Sequence, residues 1–363
     1  MFRRWSFPVA RAASAALIAL ALACSDSTGP SLPGFKVSFL VADTTGLGAT
    51  AVDTNLVNPW GLAFSGGGTL WASDNHSGKS TLYHSDGTIV STVVAIPSSD
   101  SATGGEPTGV IFNGTNTFKI GDAGKALFIF AGEDGTISAW NQTTVDAKLV
   151  ANRSANGAVY KGLAPAANAG ANLLFATNFK ANTVDVFDST FTFVKAFTDP
   201  GVPAGFAPFG IASVGGQLYV TFARQKGPDN TDDLAGDGNG YIDVFNPDGT
   251  LVKRFASQGS LNSPWGIVQA PSGFGALAGD ILVGNFGNGL ISAFNVSGEL
   301  VGTVGDSTGA PIMLDGLWAL TVAPGNTSAI FFSAGPNSES HGVLGTITPA
   351  PMPPAPPARV VAK

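Results

Sequence analysis

The chain has 363 residues, of which 44% are hydrophobic and 12% are charged, and its 25 acidic and 18 basic side chains give a formal net charge of −7 at pH 7. This length is enough for a large hydrophobic core. The acidic balance argues against nucleic acid as a partner, because phosphate binding needs a basic surface.

The first 23 residues have the features of a secretory signal peptide. Arg3, Arg4 and Arg11 lie before or within an alanine-rich apolar run that is too short to span a bilayer comfortably. The run ends at Cys24, the only cysteine of the chain, and polar, turn-rich residues follow it. The segment resembles a bacterial lipoprotein signal, in which lipid is attached to the cysteine, although Ala21 replaces the usual large aliphatic residue. Ordinary cleavage nearby is the alternative.

These features predict a lipoprotein-type signal over residues 1–23 and a linker over residues 24–34. We therefore expect an exported protein, held at the outer membrane or cell surface by lipid at Cys24, or otherwise periplasmic or secreted. No other uninterrupted apolar run reaches the roughly 20 residues of a membrane span, so the lipid is the only expected membrane contact.

A short motif recurs about every 50 residues between residues 35 and 348. Its copies are "NPWGLAF", "EPTGVIF", "VYKGLAP", "APFGIAS", "SPWGIVQ" and "DGLWALTV". Each copy is followed by two further apolar or β-branched segments, and residues typical of turns, Gly, Asn and Asp, separate them. Helix-length amphipathic stretches are absent from the sequence. Repeats of this length predict an all-β fold, a six-bladed β-propeller with four-stranded antiparallel blades.

The two ends of the repeat region predict how the ring closes. The sixth unit stops after three strands, whereas "FKVSFLVADTT" precedes the first unit as a strand without a blade. We expect this N-terminal strand to become the outermost strand of the last blade, which removes an exposed sheet edge. Residues 349–363 are rich in proline and are expected to form a disordered tail.

The runs "LVNPWGLAF", "FIFAGEDGTISAWN", "LNSPWGIVQAPSGFG", "ILVGNFGNGLISAFN" and "DGLWAL" resemble an uncharacterised family of secreted bacterial proteins with NHL-like propellers. The resemblance covers nearly the whole chain after the signal. It implies the propeller fold and an exported location, but no particular activity.

Glycine at the fourth position of the motif is expected where neighbouring inner strands approach closely. The aromatic residue before it is expected to pack between blades or to cap the channel. Alternatively, Trp60, Trp265 and Trp318 converge as a stacking platform for a flat ligand, with Asn75 and Glu133 as polar ligand-binding candidates in adjacent loops.

Two metal sites are also considered. The fragments "EPTG", "ATNF" and "LDGL" resemble the positions by which gluconolactonase-like propellers hold a divalent metal, and with "GNFG" they suggest the set Glu106, Asn178, Asn285 and Asp315. Carboxylate and amide oxygens suit calcium or another divalent cation. Turn residues that satisfy backbone groups are the alternative.

An acidic insertion interrupts the fourth unit and is a second calcium candidate. Its near-alternate acidic residues resemble a calcium loop, but the EF-hand spacing and its terminal glutamate are missing. The candidate ligands are Asp229, Asp232, Asp233, Asp237 and Asn239. A solvated loop is the alternative.

Catalytic signatures are scarce. The sequence has no H-E-x-x-H motif. His76 and His341 fall in equivalent hairpins of the first and last units and are considered as a pair near the channel, with surface turn roles as the alternative.

The sequence thus favours an exported, monomeric propeller that binds an envelope ligand or protein. A metal-dependent lactonase- or lyase-like enzyme is the second hypothesis, and a structural surface protein is the third.

Overall fold

A computed structural model describes residues 30–350. The predicted signal peptide, Cys24, most of the linker and the tail beyond residue 350 lie outside the described residues. Within residues 30–350 the regular secondary structure is almost entirely β-strand, and no helix there is long and apolar enough to cross a membrane. The all-β prediction is therefore confirmed.

Strands β1 (Ser31–Ala42) and β2 (Ala51–Val52) come first, and β1 begins before the predicted boundary at residue 35. Four antiparallel sheets of four strands follow. They contain β3 (Pro59–Phe64), β4 (Leu70–Asp74), β5 (Lys79–Tyr83) and β6 (Ile89–Ala95); β7 (Pro107–Phe112), β8 (Phe128–Gly132), β9 (Thr136–Trp140) and β10 (Lys148–Asn152); β11 (Tyr160–Asn168), β12 (Ala171–Asn178), β13 (Thr183–Phe187) and β14 (Phe193–Phe197); and β15 (Phe206–Val214), β16 (Gln217–Arg224), β17 (Gly240–Phe245) and β18 (Leu251–Ser257).

The remaining strands join β1 and β2 in a nine-stranded sheet. They are β19 (Pro264–Gln269), β20 (Ile281–Asn285), β21 (Ile291–Phe294), β22 (Leu300–Asp306), β23 (Leu317–Thr321), β24 (Ile330–Ala334) and β25 (Val343–Pro349). The sheet runs in the order β19-β20-β21-β22-β1-β25-β24-β23, and β2 pairs with β1. Short 3-10 turns occur at Asn75–Ser77, Gly121–Ala123, Ser154–Asn156 and Gly275–Leu277.

Strand β1 links the two ends of the repeat region. It pairs antiparallel with β25 over residues 35–42, and its first residues pair parallel with β22. The N-terminal strand therefore lies outside β25, where the sequence predicts it, and it also covers the edge of β22.

The first strands of the six sequence units form a closed ring. Each of β3, β7, β11, β15, β19 and β23 contacts the next, and β23 contacts β3. Strand β3 is buried along its whole length, whereas the outer strand β10 has no buried residue, so burial falls from the ring centre to the rim. This arrangement is that of a β-propeller with four-stranded antiparallel sheets.

The motif glycines allow the inner strands to approach one another. A Cβ atom on Gly61 would lie 2.5 Å from the carbonyl oxygen of Thr108, and a Cβ on Gly210 would lie 2.0 Å from that of Trp265. Side chains do not fit at such distances, so the strands meet through bare backbone. These distances confirm the role that the sequence predicts for the glycines.

A buried ionic group lies between β17 and β18. The side chain of Asp243 is fully buried and accepts a hydrogen bond from Nε of Arg254, and Nη2 of Arg254 contacts Asp199 at 2.6 Å. Burial raises the pKa of Asp243 to about 7. The negative charge of Asp199 acts in the same direction, and Arg254 acts in the opposite direction. The folded chain therefore retains a proton that the unfolded chain releases near pH 4.

We expect Gly210→Ala to lower the free energy of unfolding by about 2–3 kcal/mol, because the added methyl group forces β15 and β19 apart. Urea denaturation measures this change. Gly67→Ala is the matched control, since its Cβ would meet only Ser65 Oγ at 3.8 Å. Equal stability of the two variants would contradict the close-approach argument.

We expect Asp243→Asn to reduce the pH dependence of stability. Between about pH 4 and pH 7 the folded chain binds more protons at this site than the unfolded chain, so stability falls as the pH rises through this window. The variant lacks this titration, and its Tm should fall less than that of the wild type between pH 5 and pH 8. Asp86→Asn serves as the control and should track the wild type. Asp86 is exposed, and hydrogen bonds from Thr88 lower the pKa of its carboxyl group. Parallel pH profiles for the wild type and Asp243→Asn would disprove the assignment.

Candidate functional site

One end of the central channel collects most of the candidate site residues. Antiparallel pairing places the start of each inner strand beside the end of the second strand of its unit, as Pro59 pairs with Asp74 and Pro264 with Asn285. The loops after the second strands therefore surround the entries of the inner strands. We call this end of the channel the mouth.

The residue before the motif glycine has the same position in every inner strand. These residues are Trp60, Thr108, Lys161, Phe209, Trp265 and, before Ala319, Trp318. The pairing register shifts at this level in each inner strand. Such bulges turn a side chain away from the regular alternation.

Three tryptophans and Phe286 form an aromatic plug in the ring. Trp60 stacks on Trp318 at 3.6 Å between ring centroids, and Phe286 stacks on Trp318 at 4.0 Å. Trp265 meets Trp60 and Trp318 edge to face, at 6.2 and 5.7 Å. The tryptophans converge, as the platform hypothesis requires, but they are 4%, 8% and 1% exposed and pack on one another. Their burial assigns them to packing.

Two indole N–H groups tie the plug to its surroundings. Nε1 of Trp318 donates to Oδ1 of Asn58 at 3.0 Å, and Nε1 of Trp265 donates to the carbonyl oxygen of Lys161 at 3.0 Å. Asn58 in turn donates to Glu339 at 3.0 Å. The plug is therefore joined by hydrogen bonds to the charged groups of the mouth.

Lys161 occupies an aromatic position of the motif and is the central charged group of the mouth. Its side chain is 2% exposed. The ammonium group donates to Oε1 of Glu133, lies 3.3 Å from Oδ1 of Asp232, and sits 5.0 Å from the centroid of the Trp60 ring. Burial lowers the pKa of Lys161, but Glu133 and Asp232 outweigh burial and hold it above its usual value. The group is therefore a cation at neutral pH, and it is unsuited to act as a nucleophile.

Asn75 and Glu133, both predicted ligand-binding candidates, meet at this lysine. Nδ2 of Asn75 donates to Oε2 of Glu133 at 3.0 Å. Since the other carboxylate oxygen of Glu133 accepts from Lys161, both oxygens are held. The structure thus joins two predicted residues to a lysine that the sequence analysis missed.

Further carboxyl groups share this electrostatic environment. Burial and the charge of Glu133 raise the pKa of Glu106, whereas His76 and Lys161 act in the opposite direction. Burial also raises the pKa of Glu339, which experiences the same three groups. His76 is therefore close enough to affect the titration of both carboxyls. Nδ1 of His341 lies 2.9 Å from Oδ2 of Asp43.

The mouth contains a cavity of about 240 Å³. Trp60, Trp318 and Phe286 contribute to its wall, and so do Lys161, Lys226, Asp232, Asp233 and Glu339. Lys226 and the two aspartates belong to the insertion between β16 and β17. The acidic insertion therefore lies over the channel mouth.

In the structure, candidate calcium ligands of the insertion contact other protein groups. Asp232 contacts Lys161, Asp237 accepts from Nδ2 of Asn262 at 3.4 Å, and Nδ2 of Asn239 donates to the carbonyl oxygen of Leu234 at 3.0 Å. Across residues 30–350 no three His, Cys, Asp or Glu side chains are placed to hold a metal ion, so Asp229 and its acidic neighbours do not form such a group.

Three residues of the other candidate metal set contact different backbone groups. Oδ1 of Asn178 accepts from the backbone N–H of Val159 at 3.2 Å, and Oδ1 of Asn285 accepts from that of Asn262 at 2.9 Å. Asp315 accepts from the backbone N–H of Asn337 at 2.9 Å. These contacts are those of turn residues that satisfy backbone groups, the alternative interpretation. The fourth member, Glu106, experiences the charges of Glu133 and Lys161 at the mouth.

The opposite end of the channel differs in chemistry. A cavity of about 560 Å³ opens there, and its walls contain aliphatic and aromatic residues but no charged side chain. Of these two cavities, only that of the mouth has charged side chains in its wall, and the pKa values of Lys161, Asp233 and Glu339 there are raised. The mouth is therefore the candidate functional site.

No protein-family model matches the chain. It is 33% identical over 326 residues to the uncharacterized protein R648 of Acanthamoeba polyphaga mimivirus, covering 86% of this chain and 80% of that protein. It is also 33% identical over 328 residues to the uncharacterized protein L690 of the same virus, covering 86% of this chain and 85% of that protein.

Solved propellers share the fold. The structure matches a virginiamycin B lyase from Staphylococcus aureus with a TM-score of 0.52 and 12% identity over 86% of this chain and 99% of that one. It matches a gluconolactonase from Xanthomonas campestris with a TM-score of 0.52 and 17% identity over 81% and 88%. It matches an α-L-arabinofuranosidase from Fusarium graminearum with a TM-score of 0.56 and 11% identity, over 87% of this chain and 98% of that one. At these identities the likeness concerns the fold, and it confirms the propeller architecture.

We expect Trp318→Ala to lower the free energy of unfolding by about 3–5 kcal/mol, because it removes the centre of the plug and leaves a cavity. Trp140→Ala, in the outer part of a single sheet, provides a comparison at another buried tryptophan. If Trp318→Ala unfolds at the same urea concentration as the wild type, the plug is not a packing element.

Proposed function

The chain belongs to the family of the mimivirus proteins R648 and L690, and from the geometry of its channel mouth we propose that it is a ligand-binding β-propeller. The observation that carries this proposal is the buried ammonium group of Lys161 on the wall of the mouth cavity. Its ligand is a small polar molecule.

Stability alone does not account for a lysine at this position. Burying an ion pair is often no more favourable than packing apolar groups of similar volume. The ring uses aromatic residues at four of the six equivalent positions, so an apolar side chain is compatible with its packing. A buried cation that borders a cavity is instead typical of a site that orients a polar ligand.

The cavity also limits the size and character of the ligand. Its volume of about 240 Å³ is below the range of about 300–1,000 Å³ for typical ligand pockets, which favours a small molecule. The wall has donors on Lys161 and Lys226 and acceptors on Asp232, Asp233 and Glu339. Such a wall suits a ligand with several hydrogen-bonding groups and an apolar side toward Phe286.

A hydrolytic or lyase-like enzyme is the second candidate. The raised pKa of Glu106 favours it, because a carboxyl that keeps its proton closer to neutral pH is suited to general acid catalysis. Asn178, Asn285 and Asp315 lend the metal-dependent form of this hypothesis little support, since a backbone N–H donates to one side-chain oxygen of each. Binding is therefore the simpler proposal.

We further propose six blades for the propeller. In this interpretation the nine-stranded sheet is two blades, β19–β22 and β23–β25 with β1, that are joined where β1 pairs with β22. The six inner strands, each in contact with its two neighbours in the ring, support this division.

Export and lipid attachment at Cys24 remain proposals that rest on residues 1–24. Incorporation of labelled fatty acid at that residue is the relevant measurement. An envelope partner and a monomeric state likewise remain proposals.

We expect a panel of sugars, sugar acids, amino acids and polyamines to contain compounds that raise the Tm, since a ligand that binds only the folded state stabilises it. Lys161→Gln should weaken binding of these compounds at least tenfold. Lys180→Gln, at an exposed lysine in the β12–β13 hairpin of the same face, is the matched control. A compound that binds Lys161→Gln as tightly as the wild type would place its site elsewhere, and a panel without any effect would favour the structural-protein hypothesis.

A further inference from the structure

We propose that the ligand of the mouth carries a carboxylate and that this carboxylate replaces Asp232 on the ammonium group of Lys161. The inference rests on the proposed function and adds the chemical class of the ligand. In the unliganded protein Asp232 then acts as an internal competitor.

The two anionic partners of Lys161 are held very differently. Glu133 is 21% exposed, and Asn75 fixes its second oxygen. Asp232 is 69% exposed and contacts Lys161 at 3.3 Å. Because most of the Asp232 side chain is exposed, water can solvate its carboxylate when it leaves Lys161. Asp232 is therefore the partner that a ligand can displace.

Charge balance determines which ligand can take its place. A neutral molecule that displaced Asp232 would leave the buried ammonium group with Glu133 as its single anionic contact, and removing one partner of a buried charge is unfavourable. A carboxylate restores the contact and leaves the charge around Lys161 unchanged. The exchange therefore favours an anionic ligand even though the whole chain is acidic.

The backbone of the insertion permits this exchange without opening. The backbone N–H of Lys226 donates to the carbonyl oxygen of Asp232 at 2.8 Å, and that of Leu234 donates to the carbonyl oxygen of Arg224 at 2.7 Å. Nε2 of Gln225 also donates to the carbonyl oxygen of Phe179 at 2.7 Å. Because the main chain is held on both sides of Asp232, rotation of its side chain is sufficient to free Lys161.

Neighbouring groups reduce repulsion of an incoming carboxylate. Lys226 lines the same cavity and has no ion pair among the described residues. Burial raises the pKa values of Asp233 and Glu339, so these groups resist ionisation more than free carboxyls do. The cavity therefore offers two cations to the ligand, and two of its three acids have a raised pKa.

The test compares acetate with acetamide, which have nearly the same shape and differ in charge, by NMR titration of the full chain. We expect the wild type to bind acetate at least threefold more tightly than acetamide. Asp232→Asn should bind acetate about two- to fivefold more tightly than the wild type, since it lacks the competitor. Lys161→Gln should abolish the preference for acetate.

Two controls separate competition from a structural effect. Asp229→Asn removes a charge from the same insertion and should bind acetate as the wild type does. Asp232→Ala should reproduce the tighter binding of Asp232→Asn, with a far-UV spectrum like that of the wild type. If Asp232 only fastens the insertion, both Asp232 variants should bind acetate no more tightly than the wild type, which would overturn the proposal.

The outcomes also distinguish this inference from the proposed function. If neutral compounds bind in a Lys161-dependent manner and the protein binds acetate no more tightly than acetamide, the carboxylate inference fails and the binding function stands. If Lys161→Gln leaves the binding of every compound unchanged, the mouth is not the site and both proposals fail.

Discussion

The close approach of the inner strands is the constraint on which the rest of the structure depends. Neighbouring strands meet through the backbone beside Gly61, Gly109, Gly210 and Gly266, where a Cβ atom would lie within 2.5 Å of a neighbouring backbone atom. Because the residue before each glycine sits at the same level of the ring, six side chains compete for one small volume. Aromatic side chains fill most of it, and this packing closes the channel between its polar and apolar ends.

Lys161 breaks this pattern, and the break creates the site. A lysine where four of the other five units have Trp or Phe brings a charge into the ring. This charge must be paired because an isolated buried ion is very unfavourable. Glu133 and Asp232 supply the countercharges from two different units. The polar network of the mouth is therefore a physical consequence of one substitution in a repeated motif.

Much of the fold could be predicted from the sequence because it depends on local and periodic signals. The motif glycines, the recurring strands and the unpaired N-terminal strand were sufficient to place β1 beside β25. Contacts between residues that are far apart in the sequence were harder to predict from it. The carboxylates of the insertion looked like calcium ligands, and nothing in their spacing showed that Asp232 faces Lys161. The lysine itself carried a readable signal, since it replaces an aromatic residue in "VYKGLAP".

Burial decided the roles that spacing left open. For the repeated tryptophans the sequence favoured packing but left a ligand platform open until their exposure was known. For Asn178 and Asn285 it favoured turn roles but left metal ligation open until their hydrogen-bond partners were known.

The site also depends on ring closure. Trp60 belongs to the first unit, Trp318 and Glu339 to the last, and Lys161 to the third, so the cavity exists only when the first and last units meet. The stack of Trp60 on Trp318 crosses this junction, as does the hydrogen bond from Ser333 to the carbonyl oxygen of Trp60. A ligand that contacts both Lys161 and Glu339 binds the closed ring and not an opened one. By linkage, such a ligand must stabilise the junction by the same free energy with which the closed junction favours its binding.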